Sequence, residues 1–231
     1  MGGPGPWIDR FLIWAVCSLL AYFFRWVAPV RIEGLENVPS GGGVLFLSNH
    51  ISALDVLLVP WSVYTKHPHE TLMEVAKEEL FRNPLVGWFL RKIHSFPIKR
   101  GGADLSTIRM MEDYIRRHKV VLYPEGTRSR DGKLGAGNRM VGKIIRDTKP
   151  VVIPVAVSGT DKVIPVGKML PRWGTPVRVA FGAPLDLSEE YAVGNSKESS
   201  IRIVERVMDA ISELLEEGGA RDLPAAGRAS R

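Results

Sequence analysis

A buried strand that leads directly into a helix is indicated by one stretch of the chain, Gly43–Asp55, whose sequence is GVLFLSNHISALD. Its apolar run, Val44–Leu47, is short and follows glycines, as buried strands often do. The longer apolar segment after it, Ala53–Tyr64, favours a helix. His50 is then expected where the strand passes into the helix. In α/β sheets this is the edge at which ligands usually bind.

Two interpretations of the polar residues remain open from this stretch alone. A histidine can act as a base when a carboxylate on its far ring nitrogen fixes its tautomer and orientation, and Asp55 is close enough in sequence to do this for His50. Ser52 and Asp55 also fit a helix-capping pattern, with Ser52 as the N-cap residue and Asp55 near the third helical position. In that case His50 is an ordinary turn residue.

Length and composition predict one sizeable core with at most a small additional element, because the chain has 231 residues and is 45% hydrophobic. The formal net charge of +6 favours anionic partners: nucleic acid, anionic lipid or phosphorylated small molecules. No recognised nucleic-acid-binding motif accompanies the charge, so we expect no nucleic acid among the partners. The single cysteine, Cys17, allows no internal disulfide and fits a reducing compartment. It lies in an apolar run and is interpreted as a small hydrophobic residue.

An uncharged run near the N-terminus, Phe11–Phe24, lies between Arg10 and Arg25 and has tryptophans within or beside it. It is shorter than the ~20 residues that a membrane-spanning helix needs. A signal peptide would need a small-residue cleavage site after the run, which is missing, and a core helix would carry its apolar residues on one face. Here they cover every face, so we favour a membrane helix that lies in one leaflet or spans with help from its flanks.

Strand and helix patterns alternate along the remaining chain and predict an α/β domain. Pro154 lies inside a predicted strand, Val151–Val157, which indicates a sheet edge or a bulge because proline has no backbone N–H. The organisation expected is a membrane anchor at residues 1–29, a single domain at 30–217 and a disordered tail at 218–231. The other predicted strands and helices are Phe96–Arg100, Val120–Tyr123, Val177–Phe181, Leu85–Ile93, Leu105–His118 and Ser199–Glu217.

Polar side chains follow three of the predicted strands, and we expect them at one crevice because strand ends on one edge of an α/β sheet converge. They are Asn49 and His50 with Asp55, Lys99 with Arg100, and the turn Glu125–Arg128. Arginine binds phosphate through a planar fork of donors, so a base beside these cations suggests deprotonation of a hydroxyl on a phosphorylated substrate. The sequence has no Gly-x-Ser-x-Gly nucleophile elbow, so the substrate is expected to supply the hydroxyl for direct acyl transfer. The basic charge and the N-terminal helix point to an anionic lipid.

Four sequence blocks occur in the order in which they occur in one known family. They are His50-x4-Asp55, Phe96-Pro97-Ile98-Lys99-Arg100, Pro124-Glu125-Gly126-Thr127-Arg128-Ser129 and Val152-Ile153-Pro154-Val155-Ala156-Val157. Over roughly residues 30–187 the chain resembles the glycerolipid acyltransferases, whose best-known members are the 1-acyl-sn-glycerol-3-phosphate acyltransferases. One block alone is a weak signal, but Glu-Gly-Thr-Arg-Ser after His-x4-Asp is specific.

The resemblance implies that His50 is the general base and that Asp55 orients it. It also implies that the arginines of the motifs bind the phosphate of the acceptor and that the Glu-Gly-Thr turn shapes the acceptor site. The acceptor-binding residues expected on this basis are Lys99, Arg100, Glu125, Gly126, Thr127 and Arg128.

The fold implied by the resemblance is α/β, a mixed sheet flanked by helices, with an N-terminal membrane-associated helix. The implied reaction transfers an acyl chain from acyl-ACP or acyl-CoA to the free hydroxyl of lysophosphatidic acid, giving phosphatidic acid in phospholipid biosynthesis. We expect the enzyme to act at an anionic membrane surface, with its active site on the cytoplasmic side. No cofactor and no metal are expected, since the histidines of the loop His67–Glu70 are followed by no further ligands at a known spacing.

Three departures from the family pattern leave the acceptor open. His94 stands where glycine is often found, Lys99 where an acidic or neutral residue is usual, and Asn138–Met140 where Lys-x-Gly is common, with Lys143 further on. The alternatives are the same chemistry on glycerol 3-phosphate, another lysophospholipid or a lyso-aminolipid. Less favoured are a thioesterase or lipase that activates water, and a non-catalytic binder of anionic membranes.

Overall fold

The computed structural model describes residues 7–98, 105–165, 170–194 and 196–222 of the chain. Within these residues strands and helices alternate along most of the sequence, as predicted for an α/β domain. The strands are β1 (Val30–Glu33), β2 (Val44–Ser48), β3 (Leu72–Lys77), β4 (Ser95–Ile98), β5 (Lys119–Leu122), β6 (Val151–Ser158) and β7 (Val177–Phe181). The helices are α1 (Trp7–Trp26), α2 (Asp55–Lys66), α3 (Pro84–Lys92), α4 (Leu105–Arg117), α5 (Arg139–Thr148), α6 (Thr160–Val163), α7 (Ser188–Ala192) and α8 (Lys197–Asp222).

These strands form one sheet in the order β1-β7-β6-β2-β5-β3-β4. β6 and β7 run antiparallel, and the other neighbouring pairs run parallel. β2 lies at the centre, with Phe46 opposite Val121 of β5 on one side and Ile153 of β6 on the other. The predicted mixed sheet with flanking helices is therefore confirmed, and the strand of the stretch Gly43–Asp55 is its central strand.

Alternate residues of β2 supply two hydrophobic cores, one for each face of the sheet. Phe46 belongs to a core that α1 and α2 share, together with Phe24 and Leu58. Leu45 belongs to the second core, to which α4, α5 and α8 contribute. All five residues of β2 are buried, as expected for a strand that is covered by helices on both faces. The polar residues that follow β2 are thus held on a rigid support.

Pro154 does not place its strand at a sheet edge, so that prediction was wrong. β6 lies between β2 and β7, with Leu47 of β2 opposite Pro154. The pairing of β6 with β7 begins only at Val155, and the Pro154 carbonyl accepts a hydrogen bond from the Gly182 N–H at 2.8 Å, just beyond β7. The nitrogen of Pro154 points to the same side as its carbonyl. The missing N–H therefore falls where the β7 ladder has already ended.

The predicted N-terminal helix is present, and its two sides differ. One side packs on α2: Phe24 is buried against Trp61, with ring centroids 4.8 Å apart, and the Trp61 indole N–H donates to the Cys17 carbonyl at 3.2 Å. The other side exposes large apolar side chains, namely Phe11, Trp14, Leu19, Tyr22 and Trp26. Among the described residues, no helix combines the length and the apolarity that a membrane crossing requires.

The C-terminal helix extends further than predicted. α8 continues to Asp222, so residues 218–222 are helical and do not belong to a disordered tail. Arg178 of β7 gives the physical reason, because its guanidinium donates to the Leu214 carbonyl at 2.9 Å and packs against Gly218. Residues 223–231, the rest of the expected tail, lie outside the described residues.

Candidate active site

The candidate site lies where the parallel strands of the sheet end. β2 and β5 are neighbours and run in the same direction, so the residues that follow them share one edge of the sheet. His50 comes two residues after β2, and Glu125 comes three residues after β5. β4 ends at the same edge, but Lys99 and Arg100, which follow it, lie outside the described residues.

His50 and Asp55 are in direct contact, as predicted. The distance between His50 Nδ1 and Asp55 Oδ2 is 3.0 Å, and the Asp55 side chain is fully buried. An ionised carboxylate can only accept, so Nδ1 is the ring nitrogen that donates to it and Nε2 is the nitrogen that faces away from Asp55. The His50 side chain is 18% exposed, which leaves it accessible from the surface. This is the geometry of an oriented general base.

The capping prediction holds for the hydrogen bonds of the turn but not for its positions, because α2 begins at Asp55 with Leu54, and not Ser52, at the N-cap position. Its Oδ2 atom accepts the backbone N–H groups of Ile51 and Ser52, both at 2.7 Å, and the Ser52 hydroxyl accepts the Leu54 N–H at 3.3 Å. These bonds hold the turn that leads into α2. One carboxylate therefore holds the backbone around His50 and contacts the imidazole ring at Nδ1.

The backbone of His50 is held on both sides by the loop after β5. Its N–H donates to Glu125 Oε1 at 3.0 Å, and its carbonyl accepts from the Ser129 N–H at 2.7 Å. The second oxygen of Glu125 accepts the Gly135 N–H at 2.9 Å. Glu125 thus joins three backbone segments, and its carboxylate oxygens point at the protein's own N–H groups.

The remaining predicted residues form an exposed turn. Gly126 has φ +71°, a left-handed conformation that glycine adopts without strain, and its N–H donates to the Tyr123 carbonyl at 3.0 Å. Thr127 and Arg128 follow it and are exposed. Because Ser129 is bound to the His50 carbonyl, Arg128 is anchored one residue from the contact with the candidate base.

Two further residues support the site: Asn49, which follows β2 and binds β6, and Thr160, the first residue of α6. The sequence analysis gave neither of them a role of its own. The Asn49 side chain makes two hydrogen bonds to the Val157 backbone, donating to its carbonyl at 2.9 Å and accepting from its N–H at 2.7 Å. The Thr160 hydroxyl donates to Asp55 Oδ1 at 2.6 Å. Asn49 could have been suspected from its place beside His50, whereas Thr160 carries no local signal.

Tyr123 and Glu74 form a second support that the sequence analysis missed. The Tyr123 ring stacks on His50 with centroids 4.3 Å apart, and its hydroxyl donates to Glu74 Oε1 at 3.1 Å. Burial raises the pKa of Glu74 well above that of an ordinary glutamate, and the nearby charge of Asp55 raises it further. The pKa of Tyr123 is also well above its usual value, chiefly because of burial. The sequence signal that could have indicated Glu74 is its place as the single acidic residue of β3, whose sequence is LMEVAK.

An apolar pocket adjoins this support, between α1 and α2. Its empty volume, counted together with space open to solvent, is about 460 Å³, and its wall includes Leu20, Leu57, Trp61 and Glu74. Cys17 also lines it, and burial raises the pKa of the Cys17 thiol, which favours the neutral form. The structure therefore agrees with the interpretation of Cys17 as a small hydrophobic residue.

The loop His67–Glu70 lies at the opposite edge of the sheet from the candidate site, near the start of β5. Glu70 accepts the Gly41 N–H at 3.1 Å and forms an ion pair with Lys119, the buried first residue of β5. His67 Nδ1 lies 3.2 Å from Glu70 Oε1. In the part of the chain that the structure describes, no three histidine, cysteine, aspartate or glutamate side chains are grouped so as to hold a metal ion.

Comparison with known proteins agrees with this arrangement. The family model named Acyltransferase matches residues 29–158. The chain belongs to this acyltransferase family. The match covers β2, β5 and β6 with the turns that carry His50, Asp55 and Glu125.

Its relatives include enzymes of plastids and bacteria. The chain is 29% identical over 194 residues to the chloroplast 1-acyl-sn-glycerol-3-phosphate acyltransferase LPAT1 of Arabidopsis thaliana, which covers 82% of this chain and 51% of the plant protein. It is also 29% identical over 187 residues to the 1-acyl-sn-glycerol-3-phosphate acyltransferase of Bacillus subtilis, covering 80% and 87% of the two chains. The chain thus spans about half the length of the plant relative.

A solved structure has the same fold. The crystal structure of the 1-acyl-sn-glycerophosphate (LPA) acyltransferase, PlsC, from Thermotoga maritima is 25% identical in sequence and superimposes with a TM-score of 0.68. The similarity covers 90% of this chain and 81% of that one.

Two of the departures from the usual acyltransferase pattern now have a structural description. His94 adopts φ +62°, the left-handed conformation that glycine occupies most readily, although it is not a glycine. Asn138 begins α5, where its side chain accepts the Met140 N–H at 2.9 Å. Lys143 is paired with Asp147 at 2.6 Å on the same helix. This ion pair lies within α5.

Proposed function

We propose that the protein transfers an acyl chain from an acyl thioester, carried by acyl carrier protein or coenzyme A, to the free hydroxyl of lysophosphatidic acid. The product would be phosphatidic acid. The observation that carries the proposal is the buried Asp55 carboxylate bound to His50 Nδ1, which leaves Nε2 as a base. The names of the plant and bacterial relatives support the choice of acceptor.

The proposed reaction uses the free Nε2 atom of the His50 imidazole as the base. His50 Nε2 takes the proton of the acceptor hydroxyl, and the hydroxyl oxygen forms a bond to the thioester carbonyl carbon. The tetrahedral intermediate collapses with cleavage of the carbon–sulfur bond, and the thiolate takes up the proton from the imidazolium. A thiol with a pKa of ~8.5 is a good leaving group and needs little help from an acid.

The described serines near the base support direct transfer to the acceptor. The Ser48 hydroxyl donates to the Asn49 carbonyl at 3.0 Å, and the Ser129 hydroxyl donates to Asp131 at 3.0 Å. Ser52 accepts the Leu54 N–H in the turn before α2. Each of these hydroxyls is thus engaged in holding a turn, and the lipid hydroxyl is the nucleophile that we assign.

We assign the phosphate of the acceptor to Arg128 and Arg100, with Lys99 as a further cation. Arg128 is exposed and anchored beside the His50 loop, where its guanidinium can contact phosphate through two donors. Glu125, Gly126 and Thr127 would then shape the acceptor site through the turn that they form. The net charge of +6 also favours an anionic lipid.

We assign acyl-chain binding and membrane contact to the part of the protein around α1 and α2. The apolar pocket between α1 and α2 suits an acyl chain, because Glu74 on its wall is linked through Tyr123 to His50. The exposed apolar side of α1 suits the membrane interface, with Arg25 at the level of anionic headgroups. We place the active site on the cytoplasmic side, because the single cysteine fits a reducing compartment.

The test is thiol release from an acyl thioester by purified protein in detergent micelles, with and without lysophosphatidic acid. Release that depends on the acceptor, with phosphatidic acid as product, is expected. His50→Ala should slow it by about 10²–10⁴, the usual contribution of a general base. His69→Ala is the matched control, since His69 is exposed on the loop at the opposite sheet edge.

Other outcomes would contradict the proposal in different ways. Thiol release without an acceptor would indicate hydrolysis. Release that depends on glycerol 3-phosphate or another lysolipid, but not on lysophosphatidic acid, would keep the chemistry and change the acceptor. Binding to anionic vesicles with no turnover for any acceptor or carrier would indicate a binding protein.

A further inference from the structure

We propose that Glu74 and Tyr123 hold the imidazole of His50 in its working orientation, which makes both of them positioning residues for acyl transfer. This inference deepens the proposed function and rests on it. It assigns a role in the site to β3, a strand outside the four sequence blocks that resemble the family.

Asp55 alone does not fix the plane of the imidazole. Its contact with Nδ1 at 3.0 Å sets one point of the ring and leaves the ring free to tilt about that hydrogen bond. The Tyr123 ring covers one face of the imidazole with centroids 4.3 Å apart and an angle of 28° between the planes. A ring stacked at this distance blocks tilting toward it, so the direction of Nε2 depends on where Tyr123 lies.

Glu74 determines where Tyr123 lies. The Tyr123 hydroxyl donates to Glu74 Oε1 at 3.1 Å, and Glu74 is buried in β3 next to β5. Tyr123 is held at its other end by the turn, because its carbonyl accepts the Gly126 N–H at 3.0 Å. The aromatic ring is therefore fixed between the turn that follows β5 and the neighbouring strand.

The carboxyl of Glu74 is suited to this contact when it is neutral. Its titratable neighbours are Tyr123 directly after β5, Tyr64 and Asp55 from α2, Cys17 from α1 and His50 beyond Tyr123. Burial, which is the largest effect, and the charge of Asp55 raise the pKa of Glu74, the hydrogen bond from Tyr123 lowers it, and the pKa ends well above its ordinary value. A neutral acid accepts the Tyr123 proton through its carbonyl oxygen and adds no second negative charge beside Asp55. Glutamine offers the same carbonyl oxygen with similar size, whereas leucine does not.

The test compares three variants in the acyl-transfer assay: Tyr123→Phe, Glu74→Leu and Glu74→Gln. Tyr123→Phe and Glu74→Leu should each lower kcat about tenfold, because a small displacement of a catalytic group costs rate, while both KM values change less than about twofold. The double variant that combines Tyr123→Phe with Glu74→Leu should be no slower than Glu74→Leu alone. Each single change already removes the same hydrogen bond between Tyr123 and Glu74. Glu74→Gln should retain at least about a third of the wild-type kcat because the acceptor oxygen is kept.

A matched control is Glu198→Gln, an exposed acid on α8 that is paired only with its helix neighbour Arg202 among the contacts described. Its kinetics should equal those of the wild type. Each kcat is referred to the folded fraction measured by near-ultraviolet circular dichroism, so a loss of stability alone does not register as a loss of rate. If Glu74→Leu does not fold, the kcat values of Tyr123→Phe and Glu74→Gln still test whether the hydrogen bond between Tyr123 and Glu74 positions His50.

Two results would overturn the inference. One is a Tyr123→Phe protein with wild-type kcat per folded molecule, which would make the contact purely structural. The other is a Glu74→Gln protein as slow as Tyr123→Phe, which would show that the glutamine carbonyl does not replace the acid. Failure of the proposed function is a separate result, because the wild-type protein itself would then show no acyl transfer.

Discussion

Thr160 donates its hydroxyl to Asp55 Oδ1 at 2.6 Å, across 105 residues of sequence. Both side chains are fully buried, and Thr160 is the first residue of α6, directly after the turn that ends β6. The other oxygen of Asp55 binds His50 Nδ1. Thr160 therefore stabilises the carboxylate that orients the base, from a part of the chain that contains no motif residue of its own.

Replacing Thr160 by valine should lower both stability and kcat. The carboxylate of Asp55 loses one of its donors, and a hydrogen bond to a charged group is worth about 1.5–3 kcal/mol of unfolding free energy. KM values should change little, because Thr160 contacts Asp55 and not the substrate site. Thr160→Ser keeps the hydroxyl and should retain most of the rate. Denaturant unfolding and steady-state kinetics check this, and equal rates for the valine and serine variants would contradict it.

Replacing Arg128 by alanine should raise the KM for lysophosphatidic acid more than the KM for the acyl thioester. The guanidinium is assigned to the acceptor phosphate, and loss of a charge-assisted bidentate contact weakens binding by about 10–100-fold. Arg130→Ala is the matched control, because Arg130 is exposed on the same loop two residues away. Equal effects of the two variants on the acceptor KM would remove Arg128 from phosphate binding.

Glu74→Gln should make the protein more stable relative to wild type as the pH rises. In the unfolded chain Glu74 ionises near its ordinary pKa of about 4.3, while in the fold burial raises that pKa. Between the two pKa values the unfolded state releases a proton that the folded state keeps, so the wild type loses stability with increasing pH. Glutamine has no such proton. Melting temperatures of both proteins from pH 4 to pH 8 test this, and a difference that does not grow with pH would show that Glu74 ionises normally.

Serine at both Leu19 and Tyr22 should weaken binding to anionic vesicles. Both side chains are exposed on α1, and insertion of each into the interface contributes on the order of 1–2 kcal/mol, so the vesicle partition coefficient should fall about tenfold or more. Met140→Ser is the control, because Met140 lies on α5, which packs on the other face of the sheet. Vesicle sedimentation gives the measurement. Unchanged binding of the double variant would show that this side of α1 does not contact lipid.

The parts of the site that were predictable from sequence are those with local or motif signals. His50 and Asp55 are five residues apart, and a strand followed by a helix brings them together without any knowledge of the rest of the fold. Both predicted contacts of Asp55 are present, because its Oδ2 atom accepts from the backbone and lies within hydrogen-bond distance of the imidazole. Its role as the group that orients a catalytic base stays a prediction.

The supports of the site were not predictable, because they depend on strand order. Glu74 reaches Tyr123 only since β3 lies beside β5, and Thr160 reaches Asp55 only since β6 lies beside β2. The order of the strands along the chain does not show that β3 lies beside β5 or that β6 lies beside β2. The pattern of residues 72–77 was also too weak to indicate a strand, because acidic and basic residues interrupt it.

The rule that placed Pro154 at a sheet edge failed for a related reason. A proline is excluded from a central strand only if a neighbouring strand needs its N–H. Here β7 pairs only with Val155–Ser158, so β6 lies between two strands but its first four residues, Val151–Pro154, have no partner in β7. Whether Pro154 fits a central strand depends on where β7 ends, and the sequence of β6 gives no information about the end of β7.

The central claim is that His50 activates the hydroxyl of a lysolipid for direct attack on an acyl thioester. The most direct test is a rapid-quench single turnover with excess protein, labelled acyl thioester and lysophosphatidic acid, followed for thiol, phosphatidic acid and acylated protein. The account predicts that thiol and phosphatidic acid appear at the same rate, that no acylated protein accumulates, and that His50→Ala is slower by about 10²–10⁴. Acylated protein that forms before phosphatidic acid, or a His50→Ala protein with the wild-type rate, would contradict it.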